Sequence, residues 1–270
     1  MHEPINPDQL AFEKTKTDLV VLKLLPFLHS QIYWRAINSL RHLNRAWKIK
    51  EVDVEMSWFR AITAEEEAAA ALILSFKRLR YPGADKLDHD SHLHKNSIYP
   101  MIYILRNLIA PALAHLPDIY FDIDTSTKKY QPYIYFQIYN EELRKNVNVR
   151  PDMPLNVILQ ESKDKALYQP IDLVRMMNEN FNQTKKDELI EILRQRANTR
   201  NRILYASDSG IPVAEGNIDQ MLVLYKQEVF SILLTLTLVD LYSKPQNLAT
   251  QCLVNLLTVL KKTPPSIIFK

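Results

Sequence analysis

Three histidines lie within six residues of one another in a polar segment, and histidine is a common ligand of zinc and other transition metals when several converge. They are His89, His92 and His94, and the spacing of two lets His92 and His94 point the same way in an extended segment. No distant cysteine or carboxylate motif completes a site, and Lys95 adds an opposing charge. We therefore expect a polar loop in which His94 caps or pairs locally, without metal or cofactor; if a metal does bind, these three histidines are the candidate ligands.

Three aspartates in an alternating segment suggest a second chemistry. Asp118, Asp122 and Asp124 could hold Mg²⁺ with a phosphate, as clustered carboxylates do in nucleases. The usual Glu-x-Lys partner is not visible on the following strand. Carboxylates also keep an exposed strand from pairing with other chains, and that interpretation stays open beside the metal-dependent nuclease.

The third candidate is the string Arg200-Asn201-Arg202-Ile203-Leu204-Tyr205-Ala206-Ser207-Asp208, at the end of a predicted helix. It resembles the HEPN family of small helical bundles of bacterial defence and toxin systems. In that family an arginine is followed by a polar residue and, a few positions later, by a histidine. Arg200 or Arg202 corresponds to the arginine, but Tyr205, Ser207 or Asp208 stands where the histidine is expected.

The resemblance implies a function. In active members of the family the arginine and histidine of two subunits face each other across a dimer and cleave RNA without metal. None of the replacing side chains has a pKa near neutrality suited to moving a proton, as histidine has. The resemblance therefore implies a degenerate member, or one whose acid/base group comes from elsewhere, with Arg200, Arg202 and Asp208 as candidate catalytic residues. The alternative is that Arg196, Arg200 and Arg202 lie on a solvated helix face.

Two predicted surfaces could bind a partner. A basic stretch interleaved with Trp34 and Trp47 is the best nucleic-acid patch in the chain. Tyrosines on the predicted hairpin favour a protein partner, because the neighbouring aspartates would repel a phosphate backbone. The candidate binding residues are Arg41, Arg45, Lys48, Tyr133, Tyr135 and Tyr139.

Composition excludes several classes of protein. The chain of 270 residues has only 3 glycines, so no Gly-rich phosphate loop or nucleophile elbow can be built. The single cysteine, Cys252, lies in an apolar helical pattern and is predicted to be a core residue. The net charge of +3 is small, so a nucleic acid would have to be held by a local patch. The N-terminal residues lack the pattern of a secretory signal, which predicts a cytoplasmic protein.

These residues must be positioned by a mainly α-helical fold. Apolar positions recur at helical spacing over most of the chain, and Trp34, Leu40 and Leu43 are expected to face a core. Thr63 and Glu66 have the spacing of a capping box, which predicts a helix start there and a stop at Tyr81-Pro82-Gly83.

The middle of the chain breaks the helical pattern. Residues 118–139 alternate between apolar and polar side chains, which predicts an antiparallel hairpin, with short strands at 146–150 and 155–160. We thus expect a single helical domain over 1–270 with a small β insertion at about 118–160. Charges interrupt the apolar stretch from Met221 to Tyr242, so it is predicted to be a buried helix rather than a membrane span.

The function predicted from the sequence is a non-catalytic or degenerate HEPN-like subunit of a bacterial defence or toxin system, which binds a protein partner or RNA or forms a homodimer. The alternatives are an active nuclease, either metal-independent at Arg200 and Arg202 or metal-dependent at the three aspartates, and a purely structural subunit of a larger complex.

Overall fold

A computed structural model describes residues 6–103, 119–126, 130–142, 144–158, 186–205 and 216–262. The predicted architecture is confirmed: the chain is mainly helical, with a small antiparallel sheet near its middle. The α-helices are α1 (Lys16–Leu24), α2 (Ser30–Ile49), α3 (Val54–Arg78), α4 (His92–Asn96), α5 (Lys186–Leu204), α6 (Ile218–Asp240) and α7 (Asn247–Val259). The strands are β1 (Ile119–Asp124), β2 (Gln131–Asn140) and β3 (Lys145–Val149). Short 3-10 helices cover Pro7–Gln9, Leu25–Phe27 and Ala84–Lys86, and residues 98–103 are helical.

Helix α3 lies at the centre of the bundle, where it contacts α2, α4, α5 and α6. Its four consecutive alanines, Ala68–Ala71, are all buried, because small side chains let neighbouring helices approach from several directions. The helix begins after Asp53, whose carboxylate accepts a hydrogen bond from the backbone N–H of Met56. It ends before Tyr81-Pro82-Gly83, as predicted, with Gly83 at a φ of 82°.

The predicted capping box at Thr63 is wrong. Thr63 lies inside α3, and its hydroxyl donates to the carbonyl of Phe59 one turn earlier. Glu66 is therefore not at a helix N-terminus but is buried in mid-helix, with 4% of its surface exposed. Both Glu65 and Glu66 need partners from other elements, and this need creates the site described below.

Helices α2 and α6 flank α3. The prediction that Leu40 and Leu43 face the core is confirmed, but Trp34 is 60% exposed and packs edge-on against Tyr33. Trp34 lies two helical turns from Arg41, on the solvent side of α2, because positions seven apart share a face.

A polar contact centred on Asp240 closes the far end of α6. Its side chain, which has no exposed surface, accepts hydrogen bonds from Ser75 Oγ at 2.8 Å, from Arg78 Nη2 at 2.8 Å and from the backbone N–H of His29 at 3.0 Å. The carboxylate thereby joins α6 to the end of α3 and to the start of α2.

The three strands pair in the order β1-β2-β3, and both pairs are antiparallel. The sheet contacts the helical body through Gln131, whose amide donates to the carbonyl of Leu241 at 3.0 Å, and through Tyr242, whose hydroxyl donates to the carbonyl of Pro132. The ring of Tyr130 stacks on Phe27 at 4.7 Å between centroids.

The strand predicted at 155–160 is not observed in 155–158, and the rest of that prediction lies outside the described residues. The backbone N–H of Leu155 donates to the side chain of Gln246, and its carbonyl accepts from the N–H of Leu248. These bonds to the start of α7 take the groups that a strand partner would use.

Among the described residues, α6 is the one helix long and apolar enough to cross a membrane by length and composition. It packs along α3, and Val229, Ile232 and Leu233 are fully buried there. Its charged residues Lys226, Glu228 and Asp240 form ion pairs within the bundle.

Candidate functional site: a Glu66, His92 and Arg200 cluster

Three side chains from three helices form a continuous hydrogen-bonded chain where α3, α4 and α5 meet. His92 Nδ1 lies 2.6 Å from Glu66 Oε1, and His92 Nε2 lies 3.1 Å from Arg200 Nη1. Glu66 is buried, whereas the imidazole of His92 is 42% exposed. The cluster therefore has a buried carboxylate at its base and a histidine that a ligand can reach.

The chemistry of arginine fixes the roles of the two ring nitrogens. A guanidinium only donates hydrogen bonds, so His92 Nε2 must accept from Arg200. The proton of the neutral imidazole is then on Nδ1, and it is donated to the carboxylate of Glu66. A carboxylate in this position orients the ring and stabilises the imidazolium that forms when Nε2 takes up a proton.

Two further residues of α4 hold Glu66 in place. Asn96 Nδ2 donates to Glu66 Oε1 at 3.0 Å and to the carbonyl of His92 at 2.9 Å. Lys95 Nζ lies 3.4 Å from Glu66 Oε2. Both carboxylate oxygens therefore have partners, as a buried charge requires.

The charges of the cluster do not cancel. Lys95 and Arg200 each carry one positive charge, Glu66 carries one negative charge, and neutral His92 carries none. The cluster is left with a net charge of about +1 at a partly exposed position, which favours an anion such as a phosphate.

The guanidinium of Arg200 also contacts an aromatic ring. Its guanidinium carbon lies 4.8 Å from the centroid of Phe59 on α3, which is the distance of a cation–π contact. The alternative that Arg200 lies on a solvated helix face is wrong, since its side chain contacts Phe59 of α3 and His92 of α4. Its Nε atom is buried and has no hydrogen-bond partner among the described residues.

A second buried cluster lies one helical turn away on α5. Arg196 Nη2 donates to Glu65 Oε2 at 2.8 Å and to Glu228 on α6. Two carboxylates share one guanidinium, so the cluster is electrically neutral only when one of the two carboxylates is protonated. Burial raises the pKa of Glu65 to about 8, with the nearby Glu228 carboxylate also raising it and Arg196 opposing the rise.

The same surroundings act on Arg196 and Tyr225. Burial lowers the pKa of Arg196, but the carboxylates of Glu65 and Glu228 outweigh burial and raise it. Burial also raises the pKa of Tyr225 well above its ordinary value. At pH 7 Glu65, with a pKa of about 8, therefore holds a proton, and burial raises the pKa of Glu228 as well. This cluster anchors α5 against α3 and α6, and α5 in turn positions Arg200.

Arg202 and Asp208 are the other two candidate catalytic residues predicted from the sequence. Arg202 is exposed and does not join the cluster, and Asp208 lies outside the described residues. Within the part of the chain that the structure describes, Arg200 is the one candidate catalytic residue that contacts a side chain able to move a proton. The histidine that contacts it comes from 108 positions earlier in the chain.

The three histidines proposed as metal ligands have different neighbours. His92 lies in the cluster, and His94 is buried and accepts a hydrogen bond from the backbone N–H of Asp88 at 2.8 Å. His89 Nε2 lies 3.7 Å from the carboxylate of Asp90. Part of the segment expected to be a loop forms the short helix α4, whose N-terminus is capped by the side chain of Ser91. Among the described residues, one group has the ligand spacing for a metal, namely Asp88, His89 and Asp90.

On the hairpin, strand register places Asp122 opposite Tyr133 and Asp124 opposite Gln131, while Asp118 lies outside the described residues. Asp124 accepts hydrogen bonds from the backbone and side chain of Ser126, which lower the pKa of its carboxyl. Asp122 accepts from the Tyr133 hydroxyl at 3.2 Å. Each described aspartate thus has its own hydrogen-bond donor.

The tyrosine face is held by aromatic and cationic contacts. Tyr135 stacks on Tyr120 at 5.0 Å, and the guanidinium of Arg150 lies 3.9 Å from the centroid of Tyr133. Tyr139 is 59% exposed at the far end of the face. The other set of predicted binding residues is exposed along α2 and consists of Arg41, Arg45 and Lys48.

Sequence analysis missed the roles of Glu66, Lys95 and Asn96, and considered His92 only as a metal ligand. One signal was available: three consecutive glutamates, Glu65 to Glu67, lie inside an otherwise apolar helical segment, and those that face its core need buried partners. Comparison of the chain with family models, curated proteins and solved structures finds no match.

Proposed function

We propose that the protein binds RNA and cleaves it without a metal, at the cluster of Glu66, His92 and Arg200. The observation that carries the proposal is the hydrogen-bonded order of these side chains, with Arg200 on Nε2 of His92 and Glu66 on Nδ1. The HEPN-like string lacks its own histidine, and His92 supplies an imidazole to Arg200 from another helix.

The chemistry follows from the order of the three groups. A phosphodiester oxygen binds the guanidinium of Arg200 and takes over its N–H group, which frees the lone pair of His92 Nε2. That nitrogen removes the proton of the ribose 2′-hydroxyl as the 2′-oxygen attacks phosphorus. The bond from phosphorus to the 5′-oxygen breaks, and the 5′-oxygen takes a proton from water or from the imidazolium. The products are a 2′,3′-cyclic phosphate and a free 5′-hydroxyl.

Glu66 and Arg200 stabilise the charges that develop in this reaction. The Glu66 carboxylate faces the imidazolium, and the guanidinium faces the additional negative charge on the phosphorane. No step needs a metal, so the activity should persist in EDTA.

The test is incubation of the purified protein with single-stranded RNA, with and without EDTA, followed by analysis of the cut ends. We expect cyclic phosphate ends, no cleavage at a 2′-deoxy position, and a loss of at least 100-fold in His92→Ala and Arg200→Ala. Arg202→Ala is the matched control, because Arg202 is an exposed arginine on the same helix. Cleavage that disappears with EDTA, or that survives His92→Ala, would contradict the proposal.

A second candidate is the non-catalytic HEPN-like subunit, which binds RNA or a protein partner in the cytoplasm. The observation that favours it is that Arg200 occupies the basic nitrogen of His92, so the imidazole cannot accept a proton until that contact breaks. RNA that is bound but remains intact, with no cyclic phosphate ends, is the outcome expected of this candidate.

A further inference from the structure

Helix α2 carries a row of exposed side chains that the cluster does not use. Trp34, Arg41, Arg45 and Lys48 are separated by seven, four and three residues, so they lie on one face of the helix. We call this row the α2 stripe. At 1.5 Å per residue it is about 21 Å long.

The charge of this surface is strongly one-sided. The twenty residues of α2 contain three arginines and one lysine but no aspartate or glutamate. Arg35 is paired with Glu67, whereas Arg41, Arg45 and Lys48 form no ion pair with the described part of the chain. Three cations in a row are therefore available to a polyanion.

The side chain of His42 lies close to the same cations. The pKa of His42 is lowered first by burial and then by Arg60 on α3, with smaller contributions from Arg45 and Arg41, while Glu67 opposes the change. Arg60 thus extends the positive region of α2 onto the start of α3.

Trp34 adds a flat aromatic surface to the same row. Trp34 is 60% exposed, while the indole nitrogens of Trp47 and Trp58 are buried. An exposed aromatic ring in line with cations is the combination that proteins use to hold single-stranded nucleic acid, with bases stacked on the ring and phosphates on the cations.

We propose that the α2 stripe binds single-stranded RNA, with a base stacked on Trp34 and phosphates bound by Arg41, Arg45 and Lys48. The choice of RNA rests on the proposed function, since a substrate strand must be held outside the cleavage cluster. Helix α2 and Arg200 both contact the first turns of α3: Ser57 Oγ donates to the carbonyl of Ala46 on α2, and Phe59 lies against Arg200.

The experiment measures binding without cleavage, with a fluorescent 12-nucleotide RNA whose 2′-hydroxyls are all methylated. The stripe variant carries Arg41→Gln, Arg45→Gln and Lys48→Gln. The control variant carries Lys16→Gln, Lys145→Gln and Lys244→Gln, which removes three charges from exposed positions elsewhere. Anisotropy at several salt concentrations gives the dissociation constant and its salt dependence.

We expect the stripe variant to bind at least tenfold more weakly than wild type, and its salt slope to fall by about 2, since three phosphate contacts are lost. Trp34→Ala should weaken binding by roughly tenfold with an unchanged slope, because stacking involves no counterions. The control variant should bind like wild type. If circular dichroism shows that the stripe variant does not fold, the binding affinity of Trp34→Ala tests the inference instead.

Equal binding by the stripe and control variants, or no binding by wild type, would overturn the inference. The outcome is separable from that of the proposed function. A wild-type protein that leaves unmodified RNA intact, but whose binding depends on the stripe, removes the nuclease and keeps the binding surface. A protein that cleaves RNA through His92, but whose stripe variant binds RNA normally, keeps the nuclease and removes the binding surface.

Discussion

His92 Nε2 accepts a hydrogen bond from Arg200 Nη1 across 3.1 Å, and this contact links a helix of five residues to one that begins 90 residues later. Because arginine can only donate, the contact determines the tautomer of the imidazole. The state of His92 is therefore a direct report on the cluster.

Replacement of Glu66 by glutamine tests this assignment. Wild-type His92 should be the Nδ1–H tautomer, which nitrogen-detected NMR of the imidazole identifies. In Glu66→Gln we expect a mixture of tautomers and a 10- to 100-fold loss of cleavage, because the uncharged amide stabilises the imidazolium less. Glu67→Gln, at the adjacent and more exposed position, should leave the tautomer unchanged. An Nε2–H tautomer in the wild type would contradict the assignment.

Arg200→Lys separates charge from geometry. Lysine keeps the positive charge but cannot donate to His92 and a phosphate in the planar arrangement of a guanidinium. We expect cleavage to fall at least tenfold, while the affinity for methylated RNA changes by less than threefold. The measurement is single-turnover cleavage alongside anisotropy; wild-type rates in the lysine variant would show that the charge alone suffices.

The protonated Glu65 makes stability depend on pH. Its folded pKa of about 8 is above the ordinary value of 4.5, so the folded chain holds a proton that the unfolded chain releases between these values. The stabilising contribution is complete below pH 4.5 and is lost as pH rises through about 8, with a slope of up to about 1.4 kcal/mol per pH unit. Urea unfolding from pH 5 to 9 should show this decline in the wild type. Glu65→Gln, which is always neutral, should show a flatter curve, and parallel curves would refute the assignment.

Asp240→Asn should destabilise the fold strongly. The variant removes a buried negative charge that faces Arg78 and accepts from Ser75, and we expect a loss of about 2–4 kcal/mol in the free energy of unfolding. Urea titration measures the change. Asp219→Asn removes a more exposed ion pair with Lys50 and should leave the midpoint close to that of the wild type. Similar midpoints for the two variants would exclude the role given to Asp240.

Cys252 should react slowly in the folded protein. Burial raises the pKa of its thiol to about 12, so almost no thiolate exists at pH 7.5. We expect iodoacetamide to label the native chain at least 100-fold more slowly than the chain in guanidinium chloride, as followed by mass spectrometry. Equal rates would mean that the thiol is accessible.

Much of the fold could be predicted because local pattern determines it. The alternation of Ile134 and Phe136 with tyrosines predicts a strand, and the alanines at 68–71 predict a tightly packed helix. The cluster could not be predicted in the same way. Glu66, His92 and Arg200 come from helices far apart in sequence, and only the packing of α4 and α5 on α3 brings them together.

Local rules also misplaced particular residues. Thr63 and Glu66 match a capping box, but the helix had already begun at Val54, since Asp53 provides the cap. Trp34 was expected in the core on the basis of its spacing, yet α3 covers the adjacent face of α2. The tertiary environment decided these positions against the local signal.

The contact of Asp240 with Ser75 and with His29 joins positions separated by 165 and 211 residues. During synthesis, Ser75 and Arg78 leave the ribosome long before Asp240, whose carboxylate binds them, has been made. The apolar face of α3 is likewise exposed until Val229 and Ile232 of α6 have been made. A chain released by a stop codon before residue 218, where α6 begins, would therefore keep most of its helices but leave their central surface open to solvent, which makes it a substrate for chaperones and proteases.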